Sequence, residues 1–347
     1  MSQYRILVSP AANRVYAKAS IRLLQSEIRV FNDAVLGGKV QQLGETTIGG
    51  VPYISMESGP LSAEDVAYLS NLSSFYALFE AVEGELLRPV TVAPLDKFGS
   101  DLLTTQKYPG KTNEHFTKLL FNVTAVSAAS PADWLSGRMT VLDPMCGRGT
   151  TLNQGMMYGL DVTGVDIDAK DFDAYSVFLA TWLKNSRLKH KIEHATIRRG
   201  NERLGRRLDV SVGVTKEAYK AGSALRVSYV NGDTRRCADF FKPGSFDVLV
   251  TDAPYGVQHG SRAQKLARSP LELLAESIPA WAVVLRSGGA VGISWNTYVA
   301  RREELAELLA AHGFTVLDSA GFDGFAHRVD QAINRDLIVA RKTTQPL

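Results

Sequence analysis

The chain has 347 residues, 45% of them hydrophobic and 22% charged, with a formal net charge of +3. That balance excludes a disordered or fibrous protein, and two cysteines, Cys146 and Cys237, can form neither a disulfide framework nor a four-ligand metal site. No window approaches the ~18 apolar residues of a membrane span. The opening residues Met1 to Pro10 hold too short an apolar run for a secretory signal, so a reducing cytoplasm, no membrane and no metal are expected.

A chain longer than ~250 residues usually divides its core, so two domains are expected. Residues 1–100 read as a small α+β domain suited to docking a substrate. Tyr4 to Val8 is strand-like, and Ala17 to Phe31 carries apolar residues at helical spacing. Val51 to Met56 predicts a strand, and Ser62 to Leu72 a helix opened by Ser-Ala-Glu-Asp. Phe75 to Ala81 and Leu87 to Val92 are further predicted strands. Ala93 to Gly110, rich in Pro, Gly and polar residues, marks the boundary.

Residues 107–347 follow a different pattern. Helices are predicted at Asn113 to Ala129, Thr151 to Tyr158, Asp173 to Asn185, Pro270 to Leu285 and Arg301 to His312. Strands are predicted at Met139 to Leu142, Asp161 to Val165, Val227 to Val230, Asp247 to Thr251, Ala290 to Trp295, Thr315 to Ser319 and Leu337 to Ala340. Alternating strands and helices predict an α/β class, with a mostly parallel, doubly wound sheet. The strands after Gly313 are close enough to pair as a hairpin. An insertion at about 184–220 interrupts the alternation. Its first part, Lys184 to Arg207, holds nine Lys/Arg against Glu193 and Glu202, a local charge near +7. It reads either as a solvated, partly mobile insertion or as a surface for phosphates, with Arg198, Arg199, Arg206 and Arg207 as contacts.

The run Val141-Leu142-Asp143-Pro144-Met145-Cys146-Gly147-Arg148-Gly149-Thr150-Thr151-Leu152 leaves a strand and enters a helix. Gly147 and Gly149 permit a tight turn and a close backbone approach to a ligand. The next strand ends in Asp166-Ile167-Asp168, where a carboxylate can accept from ribose hydroxyls. A dinucleotide site would want a third small residue where Leu152 stands, and Asp143 would repel phosphate. An acidic turn suits a cationic cofactor, and S-adenosylmethionine carries a sulfonium and an ammonium without phosphate. Asp233, in Val230-Asn231-Gly232-Asp233-Thr234, is placed either to accept from an adenine amino group or simply to close a polar turn.

Phe246-Asp247-Val248-Leu249-Val250-Thr251-Asp252-Ala253-Pro254-Tyr255-Gly256 reads as a buried strand ending in a small, stiff, aromatic turn. The amino group of a nucleobase has its lone pair delocalised into the ring, so its N–H bonds must be oriented before it attacks a methyl group. Asp252 and the carbonyl of Ala253 can accept those hydrogens, Pro254 stiffens the turn, and Tyr255 offers a face for stacking. Cys146 reads as a packing residue of the turn rather than a nucleophile. Cys237, His259, His327 and Arg328 have ordinary structural readings, and Trp281, Trp295, Leu305, Leu308 and Leu309 read as core.

Together, Asp-Pro-Met-Cys-Gly-Arg-Gly-Thr-Thr-Leu and Thr-Asp-Ala-Pro-Tyr-Gly resemble the class I amino-methyltransferases with an (Asp/Asn)-Pro-Pro-(Tyr/Phe) motif. Among these the chain is most similar to the THUMP-associated tRNA guanosine-N2 methyltransferases. The resemblance spans roughly Lys107 to Lys342. It implies a Rossmann-like sheet, S-adenosylmethionine as cofactor and tRNA as partner. The stretch Lys107 to Phe116 is similar to the family segment that closes over the methionine end of the cofactor, which brings in Thr112. Ala253 stands where the family has proline, and Arg148 where it has serine. The implied reaction is methyl transfer to an exocyclic amine, guanosine N2 of tRNA foremost. A DNA adenine-N6 or cytosine-N4 methyltransferase, an enzyme for a small-molecule or peptide amine, and a non-catalytic RNA-binding protein are the alternatives.

Overall fold

Five antiparallel strands open the chain: β1 (Ser2–Val8), β2 (Val40–Ile48), β3 (Val51–Ser58), β4 (Phe75–Ala81) and β5 (Leu87–Pro89), in the order β2-β3-β1-β4-β5. The computed structural model describes residues 1–10, 14–83, 86–254 and 270–343. Tyr4 and Ile6 of β1 alternate inward with Ile54, Met56 and Leu78, and share one apolar cluster with Leu23, Leu24, Ile28 and Phe31 of the helix Arg14–Ala34. The second helix, Ala63–Leu69, starts in a capping box in which the Ser62 hydroxyl and the Asp65 carboxylate each accept the other's backbone N–H. The strand–helix–strand–strand–helix–strand order is a split βαβ arrangement. Strand β2 has no counterpart among the predicted elements. Gln42 sits at φ +48° and the pairing with β3 shifts register between Gln41 and Gly44, so strict alternation is broken there.

The second sheet holds β6 (Thr140–Asp143), β7 (Asp161–Asp166), β8 (His190–Arg199), β9 (Glu202–Gly213), β10 (Ala224–Asn231), β11 (Phe246–Asp252), β12 (Leu285–Asn296), β13 (Phe314–Val316), β14 (His327–Arg328) and β15 (Asn334–Lys342). Its order is β13-β15-β12-β11-β6-β7-β10-β9-β8, with β14 on β15. Strands β12, β11, β6, β7 and β10 run parallel, while β8, β9, β13, β14 and β15 join antiparallel. The expectation of a mostly parallel sheet is therefore corrected to a parallel centre with antiparallel flanks. The pairing of β13 with β15 bears out the expected terminal hairpin. Helices Glu114–Ser127, Thr150–Met157 and Ala169–Asn185 contribute to one apolar cluster, and Pro270–Val284 and Arg302–Ala310 to another on the opposite face. Trp281, Trp295, Leu305 and Leu309 are buried as expected.

The basic stretch is not an irregular insertion. It is the hairpin β8–β9, which extends the sheet beyond β10, followed by a short helix, Lys216–Lys220. Its apolar residues Leu208, Val210 and Val212 alternate into the core, with Asp209 and Ser211 between them on the other face. Because β9 runs antiparallel to β10, Arg206 lies opposite Asn231, and the hairpin tip projects beyond the carboxyl edge of the parallel strands.

The two sheets are tied by polar groups as well as by apolar packing. The buried Glu27 carboxylate accepts from Ser73 N–H at 3.0 Å and Asn122 Nδ2 at 2.7 Å, and Asn122 Oδ1 accepts from Tyr158 Oη at 2.6 Å. Arg22 donates to the carbonyls of Gly324 (3.2 Å) and Ala326 (2.6 Å). Among the described residues no helix is long and apolar enough to cross a membrane.

Candidate active site

Strand order reverses at β6, whose neighbours are β7 on one side and β11 on the other. In an open α/β sheet the crevice beyond such a switch point is where ligands bind. Three carboxylates lie at the strand ends there: Asp143 on β6, Asp166 on β7 and Asp252 on β11.

The turn after β6 is built on two left-handed glycines, Gly147 (φ +48°) and Gly149 (φ +77°). A Cβ on Gly149 would meet the Tyr175 ring at 2.3 Å, so only glycine brings the backbone this close. Gly147 N–H donates to Asp166 Oδ2 at 2.8 Å, and Asp168 N–H donates to Oδ1 at 2.9 Å. Asp166 stays partly exposed, and beside it Ile167 is 70% exposed. Asp143 is buried, accepting from Met145 N–H at 3.1 Å and Thr251 Oγ1 at 2.9 Å. Burial pushes its carboxyl up to about 7, and desolvation raises Asp166 to about 6. Pro144 is buried beneath the turn.

Cys146 belongs to the turn's packing. Its N–H donates to Val165 O at 3.0 Å, and a Cβ on Gly164 would lie 2.6 Å from its Sγ. Burial pushes its thiol well above the ordinary value, as an inert packing residue requires. Asp233 caps the turn after β10, accepting from Arg235 N–H at 3.0 Å, and both its oxygens are engaged by the Arg235 guanidinium. The sequence offered no sign of that clamp.

Asp252 ends β11 directly opposite Ser294 of β12. Its Oδ2 accepts from Thr112 Oγ1 at 2.6 Å, its Oδ1 accepts from Ser294 Oγ, and Arg335 Nη2 lies 3.8 Å from Oδ2. Ala253 is buried, and its N–H donates to Ser294 O at 2.8 Å, which fixes the peptide plane that follows Asp252. Pro254 is exposed at the rim. Tyr255 and His259 lie outside the described residues.

The segment before the helix Glu114–Ser127 spans both halves of the site. Tyr108 Oη and Thr150 Oγ1 share a hydrogen bond at 3.2 Å above the glycine turn, and Thr112 reaches Asp252. Thr112 thus meets the carboxylate of the second motif rather than the glycine turn. Arg148 holds this strap, its guanidinium 4.7 Å from the Tyr108 ring centre and its Nε donating to Asp171 at 2.9 Å. Sequence reasoning missed Tyr108, Ser294 and Arg335. A hydroxyl inside the apolar run Ala290 to Trp295 was a usable signal for Ser294. Arg335, in Asn334-Arg335-Asp336, reads in sequence as a solvated rim.

The four arginines singled out for phosphate contact are not gathered into one patch. Arg206 stacks 4.5 Å from the Phe172 ring centre and pairs with Asp173 at 2.9 Å. Its neighbour Arg207 points to the other face of β9 and pairs with Asp209 at 2.8 Å, and Arg199 pairs with Asp239 at 2.8 Å. Arg198 lies on the same strand as Arg199, beside the hairpin tip. A groove of about 700 Å³ between the hairpin and the helix Ala169–Asn185 is lined by Phe172, Val177, His194, Arg203 and Arg206.

Residues 124–290 match the family model described as UPF0020: RMKL-like, methyltransferase domain. No curated protein matches the chain. Among solved structures, TrmN from Thermus thermophilus is similar at 12% identity, covering 99% of this chain and 100% of that one, with a TM-score of 0.44. The magnesium protoporphyrin IX methyltransferase ChlM from Synechocystis PCC 6803, solved with bound SAM, is 13% identical over 68% of this chain and 87% of its own (TM-score 0.36). The 1,6-didemethyltoxoflavin-N1-methyltransferase of Burkholderia thailandensis is 18% identical over 59% and 71% (TM-score 0.33).

Proposed function

We propose that this chain, a class I S-adenosylmethionine-dependent methyltransferase whose residues 124–290 carry the UPF0020 methyltransferase domain, methylates an exocyclic amine of RNA, with guanosine N2 of tRNA as the foremost target. The residues of the glycine turn fit the cofactor. Gly149 lets the turn pack its backbone directly against the Tyr175 ring, Asp166 offers a partly exposed carboxylate next to exposed Ile167, and Asp143 offers a buried carboxyl group. In this reading Asp166 accepts from the ribose hydroxyls, Ile167 meets the adenine, and Asp143 complements the cationic end. Gly147, Thr150, Pro144 and Cys146 shape the turn, and Asp233 serves the adenine side once Arg235 yields part of its carboxylate. The bound cofactor supplies an electrophilic methyl group on a sulfonium.

The protein's own part is orientation. Asp252 and the Ala253 carbonyl accept the two N–H bonds of the target amine, which turns its lone pair toward the methyl group. Pro254 limits the turn, and Tyr255 supplies the stacking face. No general acid is needed, because the thioether leaves neutral, and the proton that the methylated nitrogen sheds passes to the Asp252 carboxylate that holds its N–H and then to solvent. The observation that carries this reading is one strap touching both halves of the crevice, through Tyr108 on Thr150 and Thr112 on Asp252.

RNA is supported by the basic hairpin, whose tip lies at the same carboxyl edge as the crevice. Backbone phosphates would exchange for the carboxylate partners of Arg199, Arg206 and Arg207, with Arg198 beside them. That these arginines already hold carboxylates favours a second reading, an amine on a small molecule or peptide. Nucleoside mass spectrometry of tRNA from cells lacking the protein separates the two. Loss of one methylated guanosine supports the first, and an unchanged spectrum moves the second to first place.

A further inference from the structure

The carboxylate of Asp252 is met from three separate elements: it accepts from the hydroxyls of Thr112, before the helix Glu114–Ser127, and Ser294 on β12, and the Arg335 guanidinium at the start of β15 lies 3.8 Å away, within ion-pair range. Arg335 is the unusual one. Its side chain is 5% exposed, and its guanidinium stacks 4.4 Å from the Phe116 ring centre. His327, opposite Arg335 in the β14–β15 pair, packs on the same Phe116 ring at 5.2 Å between centroids. Burial holds the His327 imidazole down at about 4, so it carries no charge at neutral pH. A guanidinium is costly to bury without an anion, and Asp252 lies within ion-pair range. Ser294 is fixed just as firmly, since β12 pairs with β11 on one side and with β15 on the other.

We propose that Arg335 and Ser294 are positioning residues, which set the rotamer of Asp252 so that its carboxylate meets the target amine. The proposal rests on Asp252 being that acceptor. An aspartate turns freely about two side-chain bonds unless something holds its oxygens. Arg335 and Ser294 approach from two neighbouring strands, Ser294 on Oδ1 and Arg335 toward Oδ2, so a rotation that satisfies one would lose the other. Misplacing a reacting group by ~1 Å costs on the order of 10²-fold in rate, so two side chains that touch no substrate can control turnover.

The test uses the full chain with unmodified tRNA transcripts and radiolabelled S-adenosylmethionine. Arg335→Gln should cut kcat by ~10- to 100-fold and Ser294→Ala by ~3- to 10-fold, with cofactor affinity unchanged and Arg335→Lys recovering part of the loss. In an Asp252→Asn background neither substitution should cost anything further, a coupling that a merely structural role would not produce. Crystal structures of Ser294→Ala and Arg335→Gln should show the Asp252 carboxylate turned from its present position. If Arg335→Gln does not fold, Ser294→Ala decides alone. Unchanged kcat, fully additive losses or an unmoved carboxylate in the folded variants would overturn the proposal. If Asp252→Asn itself kept normal turnover, the acceptor reading would fall instead, and the two crystal structures would still judge the positioning.

Discussion

The backbone N–H of Gly147 donates to the carboxylate of Asp166 at 2.8 Å, which ties the turn after β6 to the end of β7. One hydrogen bond therefore shapes the glycine turn and aims the carboxylate proposed to face the cofactor. Replacing Asp166 by alanine removes both functions. The expected loss in S-adenosylmethionine affinity is ~1.5–3 kcal/mol, about 10- to 100-fold, as for hydrogen bonds to a charged group. Calorimetry on a folded Asp166→Ala protein that returned wild-type affinity would remove this residue from the site.

Cofactor affinity should depend on pH, and the sign follows from the raised carboxyls. Asp143 at about 7 and Asp166 at about 6 hold protons that an unfolded chain has already released. In the cofactor-free protein the stability they contribute is complete below pH ~4 and is lost as pH rises through 6 to 7. A cationic ligand binds the charged carboxylates better, so binding expels protons. Affinity should rise from pH 6 to pH 8, by up to ~10-fold per unit while Asp143 is still protonated, and then level off. The thermal shift given by S-adenosylmethionine should likewise be larger at pH 8 than at pH 6. A flat profile would mean that Asp143 does not sense the bound cation.

Gly149 tests whether the close approach of the backbone matters. At φ +77° with the Tyr175 ring in the way, Gly149→Ala should destabilise the fold by at least ~1–3 kcal/mol and weaken the cofactor. A melting curve equal to wild type, with full cofactor affinity, would contradict the packing described for this turn.

Much of this site was legible in the sequence because its signals are local. A strand of apolar residues, two glycines and an acid at the next strand end together specify the turn, and Asp252 ends a buried run just before Ala-Pro. What stayed hidden was non-local. Ser294 and Arg335 reach Asp252 only because β12 lies beside β11 and β15 beside β12, and sheet order cannot be read from residue types. The hairpin β8–β9 was obscured for another reason. Its alternation is carried by Leu208, Val210 and Val212, directly after the basic run that ends at Arg207, so charge outweighed period. The same charge suggested one cationic surface, whereas strand geometry sends Arg206 and Arg207 to opposite faces.

If the hairpin meets RNA, Arg198, Arg199, Arg206 and Arg207 replaced together by glutamine should weaken RNA binding and flatten its salt dependence. The logarithmic slope should fall by ~0.7–0.9 for each phosphate that is no longer neutralised, while cofactor affinity holds. Since three of these arginines already have carboxylate partners, the fall should be smaller than four phosphates would give. Filter binding of tRNA across a salt series measures it. A slope identical to wild type would leave the hairpin as a solvated extension of the sheet.

On our reading, Asp252 orients an amine for attack on the cofactor's methyl group. The most direct test is single-turnover methyl transfer by the Asp252→Ala protein with S-adenosylmethionine saturating. The account predicts a rate lower by roughly 10²–10³-fold, as when one preorganised polar group is removed, with cofactor affinity nearly intact. A rate close to wild type would contradict it.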